Sequence, residues 1–258
     1  MEPAVRVIGI IQARMSSRRL PNKVLLPLAG EPVLAHVVKR TRACPLINEV
    51  WVATSTDASD NPIEDWACGF GVNCARGSLN DVLDRYVQTA RSAKADAVVR
   101  ITADCPALDP QILTEVVEGF VSGSYDLYGL SGEFPDGLDC SVFSMAALER
   151  AWAEAKLPSE REHVGPYIEK HSELFKLGGL RKFDGMGIGH HRWTLDEPED
   201  YELLTRIFDS FPPDTFFRTE DVLDLLRKSP DWLQINKHIG RNEGYVRSLQ
   251  EDKAMGHV

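Results

Sequence analysis

Two groups of residues in this 258-residue chain have the types and spacing for chemistry on phosphates. The first is the segment QARMSSRRLPNK, where Arg14, Arg18, Arg19 and Lys23 occur with no acid among them. Backbone N–H groups in a loop of small residues can converge on phosphate oxygens while Arg and Lys neutralise their charge. The second is a pair of aspartates far apart in sequence, Asp104 after VVRIT and Asp196 after HHRWTL. Phosphoryl and nucleotidyl transfer need charge neutralisation and in-line positioning, usually around Mg²⁺ held by one or two carboxylates and phosphate oxygens. Each group also has a plainer reading. The loop could be a solvated basic segment, Asp104 could cap the turn at Cys105-Pro106, and Asp196 could be an N-cap with Glu199 completing a capping box.

The elements that must position these groups follow from hydrophobic pattern. Residues 5–12 are a nearly unbroken apolar run, as for a parallel strand buried on both faces. Helical spacing follows in PVLAHVVKRTRAC. The alternation then predicts strand 49–54, helix 60–70, strand 71–75, helix 80–93, strand 96–101 and helix 109–121. Strands alternating with helices of this length indicate right-handed βαβ units. Ligands on such sheets bind beyond the carboxyl ends of the strands, which is where the basic loop falls. The loop is neither GxxxxGK[ST] nor GxGxxG.

After about residue 124 the rhythm changes. YDLYGL and EFPDGLDCSVFS read as strands around a Pro-Asp-Gly turn. Helices are expected at 144–156, at 160–171 with a Ser159/Glu162 capping box, and at 198–210; strand-like stretches are expected at 174–180 and 190–195. The expectation is one domain over 1–240 with an inserted α+β lobe at about 130–190, and a loosely packed tail from 241 to 258.

Composition narrows the classes. The hydrophobic share of 43% and charged share of 26% are those of an ordinary globular protein. A formal net charge of −10 argues against nucleic-acid or anionic-membrane partners, which require a positive surface. No apolar run is long enough to span a membrane, and the start lacks a signal-peptide pattern. Five cysteines without CxxC or CxH spacing fit reduced thiols in a cytoplasm and no zinc site.

The segment IIQARMSSRRLPNKVLLPLAGEPVLAHVV resembles the opening of the cytidylyltransferases that make CMP-activated sugars, whose loop reads PARxxSxRLPxKN. The likeness is greatest to the branch of spore coat polysaccharide biosynthesis protein F, a CMP-Kdo synthetase homologue. It continues in order through WVATSTDASDNPIEDWA, RGSLNDVLDRY, VVRITADCPALDP, FPDGLDCSVFS, SEREHVGPYI and RWTLDEPEDYELL, to about residue 210. Gln12 stands where many members have Pro, Met15-Ser16 where they often have Gly-Gly, and Val24 where they have Asn.

The resemblance implies a Rossmann-like nucleotide-diphospho-sugar transferase fold, a mostly parallel sheet with helices on both faces. It implies CTP as substrate, with Gln12, Ala13, Arg14, Ser16, Ser17, Arg18 and Lys23 around the triphosphate, and Mg²⁺ on Asp104 and Asp196. Asp109 and Glu197 are lesser candidates for the metal. Ala53, Thr54, Ser55, Arg76, Ser78, Asp81 and Thr102 would surround the cytidine, Asp81 being also a natural helix cap. An acceptor hydroxyl would attack the α-phosphorus and pyrophosphate would leave, with Arg14, Lys23 and Asp104 as the catalytic set. Cys105 reads as a small buried hydrophobe.

The acceptor would be a small acid. Asp136 and Asp139 beside Phe134 and Gly137 could bind its hydroxyls, and Arg161 or Arg192 its carboxylate as a bidentate pair, with His163 close by. His190 and His191 read equally as a surface strand end. Many members of the family are homodimers. A glycosyltransferase of the same broad fold is the rival enzyme class, but its usual DxD metal motif is missing near Asp104. A silent nucleotide-binding module would have no need of Arg14, Lys23, Asp104 and Asp196 together.

Overall fold

The structure, a computed structural model, describes residues 5–254. In chain order it comprises β1 (Val7–Gln12), a two-residue hairpin of β2 (Pro27–Leu28) and β3 (Glu31–Pro32), α1 (Val33–Arg42), β4 (Glu49–Ser55), α2 (Asn61–Phe70), β5 (Asn73–Gly77), α3 (Val82–Ser92), β6 (Ala97–Thr102) and α4 (Pro110–Gly123). There follow β7 (Leu127–Ser131), β8 (Cys140–Ser144), α5 (Met145–Glu154), α6 (Pro158–His163), α7 (Pro166–Lys170), β9 (Leu177–Arg181), α8 (Pro198–Asp209), α9 (Thr219–Lys228) and α10 (Glu243–Ala254).

The main sheet has seven strands in the order β5-β4-β1-β6-β8-β7-β9. β5, β4, β1 and β6 are parallel, and β8 is the one strand antiparallel to both of its neighbours. The chain runs outward from β1 to β4 and β5, then returns to place β6 on the other side of β1. That reversal is a topological switch point, and the loop after β1 emerges there.

Each sheet face has its own apolar layer. Ile11, Val52 and Val99 pack with α1, α4 and α8, whereas Ile8, Ile10 and Val98 pack with α3, α5 and α7. Successive strand residues point to opposite faces, so an apolar run such as VIGII supplies both layers. At Gly9 the side chain of Thr41 on α1 packs tightly against β1: a Cβ there would lie 2.9 Å from Thr41 Cγ2. Tyr86 on α3 ties the edge that bears the site. Its hydroxyl meets the carbonyls of Ile10 (3.1 Å) and Ile101 (3.0 Å), and burial pushes its pKa up to about 12.

The second half departs from expectation in four places. β8 pairs directly with β6, so the expected lobe continues the main sheet. The helix expected at 160–171 is two short helices, broken at Val164, whose φ is +69°. Its cap is formed by Glu160, which accepts the N–H groups of Lys156 and Leu157, and not by Ser159 with Glu162. Residues 190–195 form no strand, only an isolated bridge between Asp136 and Arg192. Finally, the tail carries α10, with Ser248 and Asp252 buried against α6; its last residues, 255–258, lie outside the described residues.

Candidate active site

The loop after β1 is shaped by an aspartate that the sequence did not single out. Asp60 is fully buried before α2. One oxygen accepts the N–H of Met15 (2.7 Å), and the other accepts the hydroxyl (2.5 Å) and N–H of Ser55. The loop is thereby fastened to β4. It closes on itself as Ser17 and Asn22 both donate to the Met15 carbonyl, Asn22 turning through φ +61° into the 3-10 turn that opens with Lys23.

This path drives Lys23 inward to 9% exposure. Its ammonium donates to Asp104 Oδ2 (2.8 Å), Asp196 Oδ1 (2.7 Å) and the Leu195 carbonyl (2.8 Å). The two aspartates therefore meet at one point beyond the end of β6. Burial works against the charge of Lys23, but the two carboxylates outweigh it and raise its pKa. Burial likewise opposes ionisation of Asp104, and the Lys23 ammonium overcomes it, pulling the carboxyl down to about 2. Asp196 is no helix cap. The N-cap position is Glu197, and Asp200 in the first turn reaches back so that its Oδ2 accepts the N–H groups of Asp196 and Glu197 (both 3.0 Å), leaving the Asp196 carboxylate for Lys23, Arg19 and Arg192.

Above this point lies a cleft of about 990 Å³. Gln12, Ala13, Arg14, Ser16, Ser17, Arg18 and Lys23 line one wall, with Thr102 and Asp104 beneath. Arg14 and Arg18 are exposed, and Arg14 comes no nearer than 3.9 Å to Glu162. Arg19 instead spans Asp196 (3.1 Å), Glu197 (3.1 Å) and Glu243 of α10 (2.8 Å). Exposed cations above and paired carboxylates below give the cleft a charge pattern that suits a polyanion.

The cytidylyltransferase profile matches residues 8–222. The chain belongs to the cytidylyltransferase family. The spore coat polysaccharide biosynthesis protein SpsF of Bacillus subtilis is 30% identical over 87% of this chain and 95% of its own length. A 3-deoxy-manno-octulosonate cytidylyltransferase of Nitratidesulfovibrio vulgaris is 39% identical over 68% of this chain and 75% of its own. The solved cytidylyltransferase of Leptospira borgpetersenii superposes with a TM-score of 0.84 at 32% identity, covering 92% of this chain and all of that one. This cytidylyltransferase accordingly has the mostly parallel, Rossmann-like architecture of nucleotidyltransferases.

Several residues expected around a cytidine are engaged elsewhere in the cytidylyltransferase. Ala53, Thr54, Ser55, Arg76, Ser78 and Asp81 do not line the cleft. Ser55 turns inward to Asp60, and Thr54 is fully buried. The Arg76 guanidinium holds the Ser55 and Asp57 carbonyls, Asn61 and Glu64, clamping β5 to β4 and α2. Asp81 caps α3 through the Asp84 N–H (2.9 Å). The wall they were expected to form is made by Leu79, Asn80, Val82 and Arg85. Arg85 is 3% exposed, with its Nη1 on the Ser78 carbonyl and its Nε unpartnered.

The expected carboxylate clamps are also committed. Arg161 pairs with Asp81, its Nε at 2.9 Å, and donates to the Trp152 carbonyl. Arg192 is divided among Asp136 (2.9 Å), Asp196 (3.1 Å) and Asp200 (2.9 Å). Asp136 and Asp139 do line the cleft, where Gly137 (φ +104°) turns the chain beside Thr194; a Cβ there would lie 2.5 Å from Thr194 N. Burial and then the Asp139 charge push Asp136 up to about 6, against the pull of Arg192. His163 lines the cleft between Ser248 (3.0 Å) and the Tyr245 ring, and burial lowers its pKa.

The lesser metal candidates have structural work. Asp109 caps α4 and accepts the Thr219 N–H (2.7 Å) and hydroxyl (2.8 Å), and Glu197 pairs with Arg19. Burial raises the Cys105 thiol well above its ordinary range, which suits a packing residue. All five cysteines are free thiols, and no helix among the described residues is long and apolar enough to cross a membrane.

Proposed function

We propose that this nucleotidyltransferase moves CMP from CTP to the hydroxyl of a sugar acid, releasing pyrophosphate, in the assembly of a cell-surface polysaccharide or glycoconjugate. The observation that carries the reading is the convergence of Asp104 and Asp196 on the Lys23 ammonium, directly beneath exposed Arg14 and Arg18. The names of the relatives from Bacillus subtilis and Nitratidesulfovibrio vulgaris support the acceptor class and the pathway.

Arg14, Arg18 and the N–H group of Ser16 would take the β- and γ-phosphates. Lys23, sharing its ammonium between the two aspartates, would face the α-phosphate and offset charge as the acceptor oxygen bonds to phosphorus and the bond to the leaving pyrophosphate breaks; the hydroxyl proton is released. Asp104 and Asp196 present hard oxygens with the cleft open on one side, a donor set that fits Mg²⁺ completed by phosphate and water. Bound there, the ion would supply Lewis-acid stabilisation of phosphate charge. Arg85 and Asn80 would read the nucleoside.

Calorimetry with Mg²⁺ should show CTP binding well ahead of ATP, GTP and UDP-sugars, and a coupled assay should register pyrophosphate from CTP with a panel of keto-sugar acids, phosphonates and sugar phosphates. Preference for a UDP-sugar would sink the proposal.

A further inference from the structure

We infer that Arg100 is the residue that recognises the acceptor's carboxylate, a role that rests on the synthetase reading above. Arg100 lies on β6, paired in register with Ile10 of β1 and Ser141 of β8. Strand alternation puts its side chain on the same face as Thr102, about 7 Å further back from the carboxyl edge. There it lines the rear of the cleft with Ser141, Phe143, His163, Pro166 and Glu169.

Three observations single it out. Its Nε is buried and has no hydrogen-bond partner. No carboxylate among the described residues lies within 4.0 Å of its guanidinium, although the other part-buried or buried arginines lining the cleft, Arg19, Arg85 and Arg192, are paired with an acid or bonded to a carbonyl. Leaving a buried charged donor unsatisfied costs more than an ordinary hydrogen bond returns, so such a group is a poor structural device and a good ligand site. Third, the wall opposite holds a strained backbone. Val164 is β-branched, fully buried, and sits at φ +69°, ψ −50°, a conformation strained for a side chain of this kind. The strain falls between His163 and Gly165, both of which line this part of the cleft.

The two arginines that sequence offered for this task, Arg161 and Arg192, are held by Asp81 and by Asp136, Asp196 and Asp200. The chemistry of the pocket selects a carboxylate over a phosphate. A single guanidinium presents a planar fork that matches a carboxylate in two hydrogen bonds. Glu162 and Glu169 on the facing helices would repel a dianion that one cation cannot balance.

The test uses pyruvate as the smallest 2-keto acid, hydroxyacetone as a three-carbon analogue lacking the carboxylate, and methylphosphonate as the dianion. Each is titrated by saturation-transfer NMR into the free protein and into protein with CTP and Mg²⁺. Pyruvate should bind, hydroxyacetone should not, and Arg100→Met should weaken pyruvate by at least about tenfold. Arg100→Lys should keep part of the affinity, and both variants should bind CTP within about twofold of wild type, which also shows that they fold. Absence of pyruvate binding to the wild type, full retention in Arg100→Met, stronger binding of methylphosphonate, or a parallel loss of CTP affinity would each overturn the assignment. Pyruvate binding through Arg100 without any CTP binding would sink the nucleotide reading and leave the role of Arg100 standing.

Discussion

Two cation–carboxylate clusters meet at Asp196, and they are built for different purposes. Around Lys23, the side chains of Asp104 and Asp196 keep 26% and 25% of their surface open to the cleft. Around Arg192, Asp200 is fully buried and accepts from Arg192, Asn236 and two backbone N–H groups, while Asp136 retains only 11%. The second cluster, although Asp136 and Arg192 touch the cleft, is more deeply buried and nearly saturated with hydrogen bonds at Asp200. The first has oxygens facing solvent and one ammonium shared between two acids. The first therefore leaves carboxylate oxygens accessible to solutes, whereas Asp200 in the second is spent on internal hydrogen bonds. A buried pair broken on one side leaves an uncompensated charge, whereas an open one is rescued by water.

The largest expected effect follows from that contrast. Asp200→Ala should destabilise the protein by about 3–5 kcal/mol in urea unfolding, because it takes from Arg192 and Asn236 their fully buried carboxylate partner and leaves two N–H groups at the start of α8 without their acceptor. A loss under about 1 kcal/mol would erase the distinction between the clusters. Asp104→Asn should do the reverse. We expect pyrophosphate release to fall by about 10²–10³-fold or more, with unfolding stability changed by less than the Asp200 variant. Wild-type Mg²⁺-dependent release from Asp104→Asn would remove Asp104 from the chemistry.

The clusters also explain what the sequence could and could not reveal. The basic loop was legible because its charges are contiguous and its place after an apolar strand fixes it at the sheet edge. The place of Asp104 was legible for the same positional reason, whereas the strand expected before Asp196 does not form and its meeting with Asp104 at Lys23 is a product of tertiary folding. Arg76, Arg161 and Arg192 are engaged by the protein's own carbonyls and carboxylates, which sequence could not show because an arginine's partners are brought up by tertiary folding. Asp81 is 80 residues from Arg161 in sequence, and nothing local announces their pairing. Asp60, which fastens the loop, looks in sequence like any helix-start aspartate. Arg100 was passed over because one charge in VVRIT does not disturb a strand pattern. The stretch expected as a lobe joins the main sheet because the chain, after α4 and β7, turns back and lays β8 antiparallel against β6, a long-range pairing that no local pattern announces.

Acid titration should sharpen the contrast, because the clusters have opposite signs. Asp104 is held at about 2 in the folded protein, so its stabilising contribution is present above its unfolded pKa of about 3.9 and is lost as pH falls toward 2. Asp136 is raised to about 6, so the folded state retains a proton that the unfolded chain has given up. Its contribution is present below about pH 3.9 and is lost as pH rises through 6. Each window is worth on the order of 2 kcal/mol. Unfolding free energies measured from pH 2 to 7 should show Asp136→Asn removing a decline between pH 4 and 6, and Asp104→Asn removing a rise between pH 2 and 4. A wild-type rise over pH 4–6 that vanishes in Asp136→Asn would show that Arg192 dominates Asp136 after all.

The smallest effect separates a structural arginine from one facing the ligand on neighbouring elements. Arg76 clamps β5 with every nitrogen of its guanidinium engaged, and part of that network is solvent-exposed. Arg76→Met should therefore cost about 1 kcal/mol of stability and leave the CTP dissociation constant unchanged. Arg85 has an unpartnered Nε and lines the cleft. Arg85→Met should weaken CTP by about tenfold with a smaller change in stability, since the group removed was incompletely satisfied before ligand arrived. Equal effects of the two substitutions on CTP would mean that the wall of Leu79, Asn80 and Val82 reads the nucleoside through backbone groups alone. In that case Arg85, like Arg192, would belong with the residues that hold the chain in place.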